Sequence, residues 1–133
     1  MNSSLKAIRK KEDEEAEKQL RIKCEAYAVE HFLGAEELVK LSNKHKGLWY
    51  LPILDEEGDV DKLALFKPID RNILSYASTK VQDEGLYIFL EACMRECWID
   101  GDKEIIDDDA YFLPAANQFN KIIDGKKAAL LKR

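Results

Sequence analysis

Apolar residues recur at helical spacing through residues 85–102, GLYIFLEACMRECWIDGD, the most apolar stretch of the chain. The repeat i, i+4, i+7, i+11 is typical of one face of an α-helix, and two further apolar residues widen it. We therefore expect a central helix covered by other elements, ending in a turn near Trp98 with Gly101 as a left-handed stop. Its inward stripe is Leu86, Phe89, Leu90, Cys93, Met94 and Cys97.

Residues 5–31 predict a long charged helix. Opposite charges lie four residues apart in its middle. Its first half has almost no apolar face, so we expect that half to project into solvent or fray. The second half carries apolar residues at helical spacing and is expected to dock: Leu20, Cys24, Tyr27 and Ala28. The pattern indicates a charged helical arm over 1–34 and a single α+β domain over 35–133. The arm is either a partner-binding helix or a solvated extension.

Two runs of strand-forming residues, 48–54 and 62–67, flank the acidic segment 55–61 and predict a β-hairpin. Pro52 lacks an N–H, so its strand should lie at a sheet edge or carry a bulge. A lone hairpin is only marginally stable in water. We therefore expect it to pack on the helices or to pair with strands of another chain.

Two more helices are predicted after the hairpin. The first runs from an Asp70 cap to about Lys80, and its inward-facing residues are Ile73, Leu74, Ala77 and Val81. Asp83 is expected to cap the central helix. In the last helix, Pro114 should fall in the first turn or cause a kink. Its apolar stripe is Phe112, Ala115, Ala116, Phe119, Ile122 and Ile123. The predicted fold is α+β and mostly helical, with the hairpin packed on a bundle of three to four helices and a long N-terminal helix.

Composition narrows the class of protein. The 133 residues carry a net charge of −5, which argues against a general nucleic-acid binder. No run approaches the roughly 18 apolar residues of a membrane span, and the N-terminus has no apolar signal region. Three cysteines make an odd number, which fits poorly with a disulfide framework and favours the cytoplasm.

The sequence contains no recognisable catalytic or metal-binding set. Carboxylates crowd residues 100–109, but an EF-hand would need glycine where Ile105 stands and glutamate where Tyr111 stands. The aspartates 107–109 more simply cap the last helix. The histidines and cysteines lack zinc-ligand spacing, and no nucleophile or phosphate-binding motif is present. We therefore expect a non-enzymatic protein without metal or cofactor.

The order of motifs resembles that of small phage tail assembly chaperone-like proteins from phages and prophages of gut bacteria. A hairpin with an acidic turn is followed by F-K-P at Phe66 to Pro68 and a helix pair that ends in C-W-I-D-G-D at Cys97 to Asp102. An acidic loop and an apolar helix come next. The resemblance covers about residues 46–133; Asp100 stands where the family's C-W-x-G-G-D-type turn has its first glycine.

The resemblance implies a non-enzymatic assembly factor in the host bacterial cytoplasm. Such chaperones bind the tape-measure protein, keep its apolar helix soluble and help tail-tube subunits polymerise; self-association is expected, and neither nucleic acid nor membrane is a partner. As the partner-binding hypothesis we take the hairpin edge and the face near the C-W turn: Trp49, Leu51, Ile53, Trp98 and Phe112. The alternative is a structural virion component or small adaptor protein retained in the particle.

Overall fold

The computed structural model describes residues 2–81, 83–124 and 128–133. The fold is α+β and mostly helical, about 65% of it helix. Its elements in chain order are α1 (Asn2–His31), α2 (Ala35–His45), β1 (Trp49–Leu54), β2 (Val60–Phe66), α3 (Arg71–Val81), α4 (Leu86–Cys97), β3 (Trp98–Gly101), α5 (Glu104–Asp107) and α6 (Asp109–Asp124).

A three-stranded antiparallel sheet in the order β1-β2-β3 forms the middle layer. In the register, Trp49 lies opposite Phe66, and Phe66 lies opposite Trp98 on its other side. The predicted hairpin is confirmed, and β1 is an edge strand with an irregularity beside Ile53, as Pro52 requires. The third strand was not predicted: α4 ends at Cys97, and the next residue already pairs with β2.

The sheet separates two hydrophobic cores. On one face lies the α4/α6 core, whose buried residues are Leu51, Ala64, Phe66, Ala77, Leu90, Cys93, Met94, Cys97, Ile105, Phe112, Ala115, Ala116 and Phe119. On the other face lies the smaller α1/α2 core, formed by Cys24, Ala28, Leu38, Leu63 and Leu65. Side chains alternate between the faces of a strand, so successive residues of β2 fill both cores.

The predicted inward stripes of α3, α4 and α6 face the α4/α6 core, with one correction. Leu86, expected in the stripe of α4, is exposed, because the first turn of that helix extends beyond the core. The expected capping by Asp83 is also wrong: α4 begins after Gly85, with no side-chain cap. The Asp70 cap of α3 is confirmed by its carboxylate, which accepts the Ile73 N–H at 2.9 Å.

The long N-terminal helix is confirmed as one continuous α1 of 30 residues. Side chains from residue 4 to residue 19 are exposed, whereas Cys24 and Ala28 are buried against the sheet. The second half of α1 therefore belongs to the packed body of the protein. The first half extends away from that body.

Pro114 lies within α6, which already starts at Asp109, so the alternative that places Pro114 in the first turn of the helix is wrong. The Asp108 carboxylate accepts a hydrogen bond from the Ala110 N–H at 3.0 Å, so one of the three aspartates expected to cap this helix does so. The short helix α5 occupies part of the segment expected to be an acidic loop.

Candidate functional site

The structure does not gather the five predicted binding residues into one surface. Leu51 and Phe112 are each only 5% exposed and belong to the α4/α6 core, and Ile53 packs against the same core. Trp49 remains 47% exposed at the start of the edge strand. Of the five, Trp49 and Trp98 are the side chains best placed to reach a partner while the domain stays folded.

Trp98 lines a groove of about 360 Å³ together with Arg95, Lys103, Ile106 and Asp107. Its indole packs edge-on against Phe66, with ring centroids 5.6 Å apart, so one side of the ring is fixed by the core. The groove mixes charges of both signs. Its position suits a modest peptide contact rather than a deeply enclosed ligand.

Gly101 holds the end of β3 close to β2. Its φ is +154°, and a Cβ there would lie 2.7 Å from the Leu63 carbonyl oxygen and 2.8 Å from the Ala64 Cα. The residue was predicted as the left-handed stop of a helix, which is wrong. Glycine is needed because the two strand backbones approach too closely for a side chain.

Asp102, immediately after β3, ties three elements together. Its Oδ2 accepts hydrogen bonds from the Leu63 N–H at 2.9 Å and from the Tyr27 hydroxyl at 2.8 Å. Burial raises the pKa of Tyr27, and the hydrogen bond to Asp102 raises it further. This carboxylate, predicted only as part of an acidic loop, thus fastens α1 to the sheet.

The hairpin loop uses its acidic residues for its own structure. The Asp55 carboxylate accepts the N–H groups of Glu57 and Asp59, both at 2.9 Å, which closes the turn. Asp59 in turn pairs with Lys23 of α1 at 3.0 Å. Within the described ranges, no group of three or more histidine, cysteine, aspartate or glutamate side chains is arranged to hold a metal ion.

The three cysteines are buried and free of disulfides. Burial raises the pKa of the Cys24 and Cys93 thiols to about 11 and that of Cys97 to about 12. Each thiol therefore stays protonated at neutral pH and is a poor nucleophile. Their role in the structure is to fill space in the two cores.

Four large apolar side chains are exposed around the start of α4 and on the neighbouring α6, and we call them the α4 patch: Leu86, Tyr87, Ile88 and Leu113. The side chains of its four residues are between 42% and 53% exposed. Tyr87 donates a hydrogen bond to Asn117 of α6 at 3.0 Å, and Leu113 lies one turn before Asn117 on the same helix face. The hydrogen bond therefore places the two helices side by side within one surface.

A groove of about 290 Å³ opens beside the α4 patch, between the end of α3 and the start of α4. It is lined by Ser78, Val81, Asp83, Gly85, Leu86 and Phe89. Three of its lining residues are apolar, and the acidic Asp83 lines it as well; Glu84, the next residue along the chain, is exposed. The sequence pattern missed this surface because it assigned Leu86 to the buried stripe.

None of the helices in the described segments is both long and apolar enough to cross a membrane.

Comparisons with known proteins find no relative of this chain: no protein-family model, no curated protein and no solved structure matches it.

Proposed function

We propose that the protein is a non-enzymatic phage assembly factor: a tail assembly chaperone that binds the tape-measure protein through apolar surface and self-association. The α4 patch is the observation that carries this proposal. Large apolar side chains grouped on the surface of a folded domain mark a site for another protein. A chaperone for an apolar helix needs such a surface, and it acts where tails assemble, in the host bacterial cytoplasm.

The groove beside the patch suits recognition of an amphipathic helix. In that mode, apolar side chains at i, i+3 or i+4 and i+7 of the partner enter a groove and cover its flanks. One anchor would enter the groove next to Phe89, and its neighbours would cover Tyr87 and Leu113. The carboxylates of Asp83 and Glu84 favour lysine or arginine beside the anchors.

Co-expression with the tape-measure protein tests this proposal. The wild-type chain should co-elute with it in size-exclusion chromatography. The double variant Leu86→Asp/Ile88→Asp should bind at least about tenfold more weakly, because it places two charges in the apolar contact. Both side chains are exposed, so the variant should keep its fold, which circular dichroism checks.

The control is Val39→Asp, which puts one such charge at an exposed valine on α2, outside the patch. It should bind like the wild type. A chain that never co-elutes, or a double variant that binds as well as the control, contradicts the proposal. Mass spectrometry of purified virions separates the alternative role, since a structural component stays in the particle and a chaperone does not.

A further inference from the structure

The side of α1 that faces away from the sheet carries an apolar stripe at coiled-coil spacing. Leu5, Ile8, Ile22 and Val29 are between 43% and 57% exposed, and Ala26 between the last two is exposed as well. The intervals from Leu5 to Ala26 and from Ile8 to Val29 are each 21 residues, which is three heptads. At 100° per residue, this stripe lies opposite the docked face of the helix.

Charges along the same helix form four runs of alternating sign. Residues 6–11 contain four cations, residues 12–17 five acids, residues 18–23 three cations and residues 24–30 two acids. No run contains a residue of the opposite charge. In a parallel, in-register pair each run would face its own copy, and like charges would repel.

We propose that α1 pairs with α1 of a second copy as an antiparallel two-stranded coiled coil. Heptad packing then brings together residues whose numbers add to 34, so that Leu5 faces Val29 and Ile8 faces Ala26 of the other copy. In this register Arg9 lies opposite Glu25 and Asp13 lies opposite Arg21. Two like-charge contacts remain, Lys11 opposite Lys23 and Glu17 opposite its own copy. The charge runs thus favour the antiparallel arrangement over the parallel one, in which every run would face its own copy.

The pairing also explains how the projecting half of α1 is covered. The first half of one helix lies along the second half of the other, on the side away from the sheet. Glu12, Glu15 and Gln19 occupy the middle of the seam, so the apolar contacts lie at its two ends. Polar residues at core positions weaken a coiled coil and select its register, so the dimer should dissociate on dilution.

Light scattering coupled to size-exclusion chromatography tests the dimer. At high concentration, the wild-type chain should have about twice its monomer mass of 15.3 kDa. Ile8→Glu should raise the dimer dissociation constant at least about tenfold, since it places a charge in an apolar layer. Val39→Glu, the same change at an exposed valine off α1, should leave the constant unchanged.

Cysteine cross-linking tests the orientation. Under oxidising conditions, a mixture of Ile8→Cys and Ala26→Cys chains should form a disulfide-linked pair, whereas Ile8→Cys alone should not. In the antiparallel register the two copies of residue 8 are 18 residues apart along the axis, about 27 Å. The wild-type chain, with its three buried cysteines, is the blank.

A chain that stays monomeric at all concentrations, or Ile8→Cys chains that cross-link to each other, would overturn the dimer. The inference specifies the self-association in the proposed function but rests on α1 alone. A monomer that still binds the tape-measure protein refutes the dimer and keeps the chaperone role. A dimer that binds no such helix refutes the chaperone role and keeps the pairing.

Discussion

Replacing Tyr27 by phenylalanine tests how firmly α1 is fastened to the sheet. The change removes the 2.8 Å hydrogen bond to the Asp102 carboxylate and leaves the ring in place. A hydrogen bond to a charged group contributes about 1.5–3 kcal/mol. Asp102 is half-buried and keeps its hydrogen bond from the Leu63 N–H. We therefore expect the free energy of unfolding to fall by about 1.5 kcal/mol, near the lower end of that range.

Asp102→Ala should cost more, about 3 kcal/mol, because it also leaves the N–H of the buried Leu63 without its carboxylate partner. Urea unfolding followed by circular dichroism measures both variants and the double variant. If the hydrogen bond is the interaction lost, Tyr27→Phe should change stability little once Asp102 is alanine, which gives a coupling energy near 1.5 kcal/mol.

Tyr76→Phe is the matched control, since its side chain is half exposed on α3 and the change should stay within about 0.5 kcal/mol. A Tyr27→Phe variant as stable as this control would refute the reasoning. So would additive effects of the Tyr27 and Asp102 substitutions, because independent losses mean that the two side chains do not support each other.

Three further outcomes are expected. Gly101→Ala should lower the free energy of unfolding by about 3 kcal/mol or more, because its Cβ would meet strand backbone at 2.7 Å. Gly58→Ala, at φ +82° in open space, should lower it by only about 1–2 kcal/mol. Urea unfolding measures both. Asp70→Ala should cost about 1 kcal/mol through loss of the α3 cap, measured in the same way. Burial raises the pKa of Cys24 to about 11 and that of Cys97 to about 12. The stability that these thiols contribute should therefore be constant below about pH 8 and fall as pH rises towards those values, by about 3 kcal/mol in total for Cys24 and about 4 kcal/mol for Cys97. A pH titration of the unfolding midpoint checks this fall, and replacing Cys24 by alanine should reduce it; an unchanged alkaline slope would contradict it.

Much of the fold could be predicted because strong periodicity marks long elements. The stripes of α3 and α6 identify their buried faces, and Pro52 identifies an edge strand. The strand β3 could not be found in this way, because four residues that directly follow a helix show neither a helical nor a strand period. Its only local signal is the aromatic and β-branched pair Trp98-Ile99.

Burial of individual apolar residues was harder to predict than the elements. Leu51 and Trp49 share one face of the edge strand, yet Leu51 is buried in the core and Trp49, at the start of the strand, is 47% exposed. Leu86 continues the periodic stripe of α4 but extends beyond the elements that cover it. The period of the hydrophobic pattern indicates the direction in which a side chain points. Its burial depends on segments distant in the sequence, which no local pattern specifies.

The central strand β2 has a consequence for how the molecule unfolds. Its residues alternate between the two cores, with Leu63 and Leu65 in one and Ala64 and Phe66 in the other. Neither core can lose its packing without loosening the strand that the other needs. The two layers should therefore melt in a single cooperative transition, and the β2 amides should exchange with solvent only through global unfolding.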